Sequence, residues 1–210
     1  MILFNLRLTA RSMRWLGAAL LVLIWTSFTI SDPGTALSNA SSAFMVVVAI
    51  TCWLTIAVGN VDDDGHRELL TAVAGSPARL QRSRAISAYV AGNTIALVST
   101  VVGIALAATP RRPVGNVRIY GACLLLQLAA TAIGVGIGTL LHRPVVRNTG
   151  VTLLVSVGAL VTLILLPPVQ HVLRQMNDDR TGGLVVLSVV ALAATALAVA
   201  VSGALADRLN

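Results

Sequence analysis

The stretch Leu184-Val185-Val186-Leu187-Ser188-Val189-Val190-Ala191-Leu192-Ala193-Ala194-Thr195-Ala196-Leu197-Ala198-Val199-Ala200-Val201-Ser202-Gly203-Ala204-Leu205-Ala206 contains no charged residue, no His and no side-chain amide. It has no polar face to turn toward water, at helical or at strand period. A bilayer core of about 30 Å is crossed by about 20 helical residues. This block is long enough to cross, and it reads as a membrane span.

Working outward, five more blocks share its character: Trp15–Ile30, Ala43–Gly59, Ile86–Ala108, Ile119–Leu141 and Thr149–Leu166. The first, second and fifth spans in chain order are short and are expected to borrow flanking residues. The composition agrees, with 56% hydrophobic residues, 11% charged residues and a mean hydropathy of +0.86. So little charge cannot clothe a soluble domain of 210 residues. The expected fold is an all-α polytopic membrane protein with six transmembrane helices in a single transmembrane domain over residues 1–210. Ala36-Leu37-Ser38 offers a small-residue cleavage site, but the segment before the first span is long and carries Arg7, Arg11 and Arg14. That span is therefore read as a retained helix and not a signal peptide.

The net charge of +7 does not point to nucleic acid. All fifteen basic residues are Arg, and they cluster at the ends of apolar blocks, where lipid headgroups lie. With the N-terminus inside, the inner side carries Arg7, Arg11, Arg14, Arg67, Arg79, Arg82, Arg84, Arg143, Arg147 and Arg208. The outer side carries Arg111, Arg112, Arg118, Arg174 and Arg180, with the pair Arg111-Arg112 as the dissenting feature. The positive-inside rule thus predicts a multi-pass cell-membrane protein with both termini cytoplasmic. Cys52 and Cys123 fall inside apolar blocks and read as free buried thiols.

The loop over residues 61–85 is the most informative polar stretch. Asp62, Asp63 and Asp64 open it, where a helix N-terminus favours negative charge. Leu69, Leu70 and Val73 follow on one face of a short helix, opposite Arg67, Glu68 and Thr71. Gly75 suits the left-handed residue after a helix end, and Ser76-Pro77 suits the cap and first position of the next helix. Arg79, Arg82 and Arg84 then lead into the third span. Such a helix either lies on headgroups or docks a cytoplasmic partner. The loop's length and mixed charge favour docking.

Two further amphipathic segments flank the spans. Residues 1–14 place Ile2, Leu3, Leu6, Ala10 and Met13 on a face beside Arg7, Arg11 and Arg14, as an interfacial helix would. After Pro167-Pro168, Val169, Val172, Leu173 and Met176 recur at i, i+3, i+4 and i+7, with Gln170, Arg174 and Gln175 away from them. A short helix on the outer leaflet is expected there, before the last span.

The chemistry that is missing narrows the function. No Asp, Glu, Arg or His falls within the six blocks, which argues against proton- or ion-coupled transport. A phosphate-cradling Gly-rich loop requires Lys, and the chain has none, so it is not its own conventional ATPase. Asp62-Asp63-Asp64-Gly65 lacks the spaced acids of membrane phosphatidyltransferases, since Val61 stands where the first acid belongs and no further Asp follows before Asp178. His66, His142 and His171 are scattered over both faces, and no catalytic or metal constellation is expected. Polar residues at membrane depth are Thr55, Asn93, Thr94, Thr100, Gln127, Thr131, Ser156 and Thr162. Interhelical hydrogen bonding accounts for most such groups. Asn93 and Gln127, with the bulkiest polar groups, are the candidates for a translocation path. Gly134 and Gly138 have the GxxxG spacing of close helix packing.

This layout resembles the membrane (permease) subunit of a type-2 ABC exporter over essentially the whole chain. The resemblance rests on the amphipathic N-terminal segment, the six spans, the amphipathic loop after the second span, the stretch Gly138–Asn148 and the proline-started outer helix. It implies that Asp64–Ala74 is the coupling helix, with Asp64, His66, Arg67, Glu68, Leu69, Leu70 and Val73 meeting a separate cytoplasmic nucleotide-binding ATPase subunit. It also implies that ATP and Mg are bound on that partner, and that a second membrane subunit, identical or different, completes the path. An alternative is the substrate-binding membrane module of a vitamin-uptake complex, which would hold a roomy ligand pocket within one chain. A membrane scaffold with no transport role is a third reading.

Overall fold

The computed structural model describes residues 7, 16–31, 36–60, 64–107, 117–141, 155–156, 158–159, 162, 166–177 and 183–208. Among them the regular structure is helical throughout, with no strand. The helices are α1 (Leu16–Ser31), α2 (Ala36–Gly59), α3 (Asp64–Ala74), α4 (Pro77–Ala107), α5 (Val117–Leu141), α6 (Pro167–Asn177) and α7 (Leu184–Arg208). Four of them are long and apolar enough to cross a membrane, over Leu37–Gly59, Pro77–Val102, Arg118–Leu141 and Leu184–Leu205. The first expected span is the 16-residue α1. Of the fifth, only residues 155, 156, 158, 159, 162 and 166 are described, the first five of them helical. The expected interfacial helix at 1–14 lies outside the described residues apart from Arg7, as do Asp62, Asp63 and residues 142–148.

Two boundaries differ from the sequence reading in an instructive way. α2 begins at Ala36, seven residues before the expected span, and so absorbs Ser38, Asn39, Ser41 and Ser42. These polar residues fit because Ser41 and Ser42 hydroxyls donate to the carbonyls of Ser38 and Asn39 at 2.9 Å, and Trp25 Nε1 of α1 donates to Ser42 Oγ at 3.3 Å. The basic turn and the third span are one continuous 31-residue helix, α4. At 1.5 Å per residue it is about 46 Å long, enough to pass through a bilayer and project beyond it.

α5 is the centre of the bundle. It packs on α2 along most of its length, on α7 on another side and on α4 between them, while α1 lies against α2 and α4. Burial follows this arrangement, with 67% of the apolar window of α5 and 61% of that of α2 enclosed, against 17% for α7. Leu126, Ala130 and Cys123 of α5 meet Phe44, Val47 and Val48 of α2 in the main core.

The α2–α5 seam is close because Gly134 and Gly138 carry no side chain there. A Cβ on Gly138 would stand 2.6 Å from Thr55 Cβ and 2.8 Å from the Cys52 carbonyl oxygen. One on Gly134 would collide with Thr51 Oγ1 and stand 2.6 Å from the Val48 carbonyl oxygen. The GxxxG spacing is thus a packing seam within the chain. Gly92 of α4 completes the junction, its missing Cβ leaving room for the Thr51 and Thr131 methyls.

α6 packs on α2 and α7. Its Val169 and Val172 are buried with Leu37, Ala40 and Leu184, while His171 and Arg174 are exposed. The sequence reading laid this apolar stripe on lipid. The starts of α2 and α7 cover it instead, so α6 caps one end of the bundle and α3 stands at the other.

Candidate functional site

The polar end of the bundle is built by the turn between α3 and α4. Gly75 adopts φ 78°, a left-handed conformation that costs a side-chain-bearing residue energy. Its N–H donates to the carbonyls of Thr71 at 3.0 Å and Ala72 at 3.3 Å, closing α3. Ser76 Oγ then accepts from the Arg79 N–H at 3.2 Å, capping α4, with Pro77 at its first position. With no free residue between the two helices beyond Gly75 and Ser76, α3 is joined to α4 by a short, hydrogen-bonded corner.

α3 packs on α4 alone among the described helices. Leu69 is 67% exposed and Val73 77% exposed, one turn apart on the same side, with Ala72 exposed between them. Leu70, expected to share their face, is half-buried. It sits about 100° around the helix from Leu69, whereas Val73 sits about 40° from it. The amphipathic face therefore divides, with Leu70 turned partly toward the protein and Leu69 and Val73 left uncovered by the described residues. The backbone at Asp64, His66, Arg67 and Glu68 is helical, and their side chains lie outside what is described.

Arg79 and Arg82 are exposed on the first turns of α4, but Arg84 is only 4% exposed. Leu80, Arg84, Ala88, Gly92, Ala96 and Thr100 recur every four residues, and all of them are buried. Arg84 stands one turn from buried Leu80 and Ala88 and is packed with them, not on a solvated basic turn. That spacing was present in the sequence and is the signal that would have found it.

Deeper in the bundle the polar residues fall into two groups. Thr55, Thr94, Thr100, Thr131 and Thr162 donate to the carbonyl four residues earlier in their own helices, at 2.7–3.0 Å. They hold no neighbour. Cross-helix bonds come instead from Ser188 to the Leu125 carbonyl at 3.3 Å, Thr195 to the Ala132 carbonyl at 2.5 Å and Gln127 Nε2 to the Ala40 carbonyl at 3.1 Å. Ser156 also lies in hydrogen-bond reach of Cys52. The sequence reading did not single out Ser188 or Thr195.

Asn93 and Gln127 are set apart. Gln127 is 1% exposed, and its Oε1 has no hydrogen-bond partner, nor does the buried Oδ1 of Asn93. The Gln127 amide cannot be reversed, because its Oε1 would then face the Ala40 carbonyl oxygen. An unsatisfied buried acceptor costs about 1–3 kcal/mol. Among the described residues these two are the fully buried side-chain polar atoms without a hydrogen bond.

No three His, Cys, Asp or Glu side chains come together among the described residues. Compared with protein-family models, with curated proteins and with solved structures, the chain finds no match.

Proposed function

We propose that this chain is the permease subunit of an ATP-driven exporter of the type-2 ABC kind, crossing the cell membrane six times with both termini in the cytoplasm. Four crossings are α2, α4, α5 and α7, and α1 with the segment containing Ser156 supplies the others. Six crossings fit the chain's path, since α5 ends beside the α3 end of the bundle while α6 packs at the opposite end. The observation that carries the reading is the pair Leu69 and Val73, an apolar strip left open on a short helix beyond the spans. In this proposal the strip seats on a separate cytoplasmic ATPase that holds ATP and Mg, and a second membrane subunit completes the path.

The mechanism follows from the corner at Gly75-Ser76. Closure of two ATPases around ATP displaces α3, and the hydrogen-bonded corner passes that displacement to α4. α4 touches α1, α2, α5 and α7, so its movement reaches most of the bundle. Arg84 near the start of α4 is the buried charged side chain among the described residues, the six apolar blocks carry no charge, and the proposal takes ATP as the driving force. Asn93 and Gln127 are the polar points that an amphipathic, lipid-like cargo meets on its way.

The test is co-purification of the full chain with its genomic neighbours. Leu69→Asp and Val73→Asp lose the ATPase while keeping wild-type thermal stability, because both positions are exposed. Retention of the ATPase and of transport by both variants would remove the coupling role of α3.

A further inference from the structure

At the end where it meets α3, α4 carries two exposed guanidinium groups, those of Arg79 and Arg82. No ion pair or side-chain hydrogen bond of either is found among the described residues. Arg79 lies back over the corner, since a Cβ on Gly75 would stand 3.5 Å from its Nη1. Arg82 is about one turn further along and about 60° around the helix. Arg84 is buried on the packed side, so these two are the cations that α4 shows to its surroundings.

The same side of the helix continues as apolar surface. Ile86, Val90, Leu97 and Val101 are 48%, 44%, 53% and 58% exposed. At about 100° per residue, all four lie with Arg79 and Arg82 inside an arc of about 100°. Thr94 is exposed on this side too, but its hydroxyl donates to the Val90 carbonyl at 3.0 Å and is occupied by its own helix. Hydrocarbon excludes a guanidinium, so the headgroup level falls between Arg82 and Ile86. From Ile86 to Leu97 the helix rises about 16 Å, which matches one leaflet, half of a bilayer core of about 30 Å. α7 exposes more apolar surface, but no cation is among its described exposed residues.

From this we infer that this side of α4 is a docking site for one anionic phospholipid, with its phosphate held by Arg79 and Arg82 and an acyl chain along Ile86, Val90 and Leu97. The paired charges select the headgroup, because a zwitterionic lipid brings its own cation beside the phosphate and gains less from them. The stripe selects a lipid over a free phosphate, because the tail adds apolar contact that a soluble anion lacks. The site requires α4 to cross a membrane, for which it is long and apolar enough, and it does not rest on the ATPase reading.

The experiment is native mass spectrometry of the full chain released from nonionic detergent and titrated with dioleoylphosphatidylglycerol or dioleoylphosphatidylcholine, which share their tails. Phosphatidylglycerol is expected to bind the more tightly. Arg82→Gln weakens its binding about fivefold, and Arg79→Gln together with Arg82→Gln about 30-fold. Arg174→Gln removes the same charge from exposed surface on α6, whose apolar stripe is covered by protein, and leaves the binding unchanged. Glycerol phosphate at the same concentration does not displace the lipid. Should the double variant disturb the corner, Arg82→Gln alone decides. Equal binding of the two lipids, wild-type binding by Arg82→Gln, an equal loss in Arg174→Gln, or displacement by glycerol phosphate would overturn the inference. No ATPase takes part in this assay, so its outcome is separate from that of the α3 co-purification.

Discussion

Replacing Gly134 with Ala is the sharpest probe of the central seam. The added Cβ meets Thr51 Oγ1 and stands 2.6 Å from the Val48 carbonyl oxygen and 3.0 Å from the Cys52 nitrogen, two of these three being backbone. Backbone cannot rotate away, so α2 and α5 must separate and lose contacts over several turns. Overpacking of this kind costs about 1–3 kcal/mol. Ala is the better helix former by about 0.8–1.0 kcal/mol, leaving a net loss of up to about 2 kcal/mol. Gly121 in the same helix has nothing within 4 Å of the equivalent position. Gly121→Ala therefore keeps the propensity gain and is neutral to stabilising. A second contrast separates side-chain from backbone crowding. At Gly92 the Cβ would stand 2.7 Å from Thr51 Cγ2 and 2.8 Å from Thr131 Cγ2, both side-chain methyls. Thr51→Ser with Thr131→Ser removes both methyls and keeps both hydroxyls, and it is expected to rescue Gly92→Ala but not Gly134→Ala. The assay is reversible unfolding in mixed micelles. Equal stability of Gly134→Ala and Gly121→Ala, or rescue of Gly134→Ala by the serine pair, would refute the packing argument.

Other consequences are more local. Ser76→Ala removes the cap on α4 and is expected to cost about 1 kcal/mol, seen as faster hydrogen exchange at Arg79 and Leu80 with the core unchanged. Gly75→Ala forces a side chain into the left-handed region, costs about 1–2 kcal/mol and frees α3 from α4, seen as proteolysis at the corner. Thr195→Val breaks the bond to the Ala132 carbonyl and lowers stability by about 0.6 kcal/mol, whereas Thr100→Val, which loses only a bond within its own helix, is expected to change it less. Comparing their unfolding midpoints checks the distinction.

The sequence carried the local features well where one residue type has one physical use. Gly75, Ser76 and Pro77 announce a helix end and a helix start, and the corner is built from them. The start of α7 at Leu184 follows equally from the block of apolar residues after Gly183. What was not legible depends on neighbours that are distant in the chain. The polar run Ser38–Ser42 looked like a loop, yet it is the first turns of α2, because its hydroxyls bond back to its own carbonyls. The apolar stripe of α6 looked lipid-facing, because nothing local reveals that Leu37 and Leu184 cover it. Leu69, Leu70 and Val73 looked like one face until the position of α4 divided them. Asn93 and Gln127 were singled out for bulk alone, and only the packed bundle leaves their oxygens without donors.

The account's central claim is that drive enters through α3. It is tested most directly by a photo-crosslinking amino acid placed at Val73 in living cells, with the same group at buried Leu80 as the control. The account predicts a crosslink from position 73 to a cytoplasmic protein carrying a nucleotide-binding Gly-Lys-Ser/Thr loop, and none from position 80. A crosslink from position 73 to lipid alone, or to a protein on the outer side of the membrane, would contradict it.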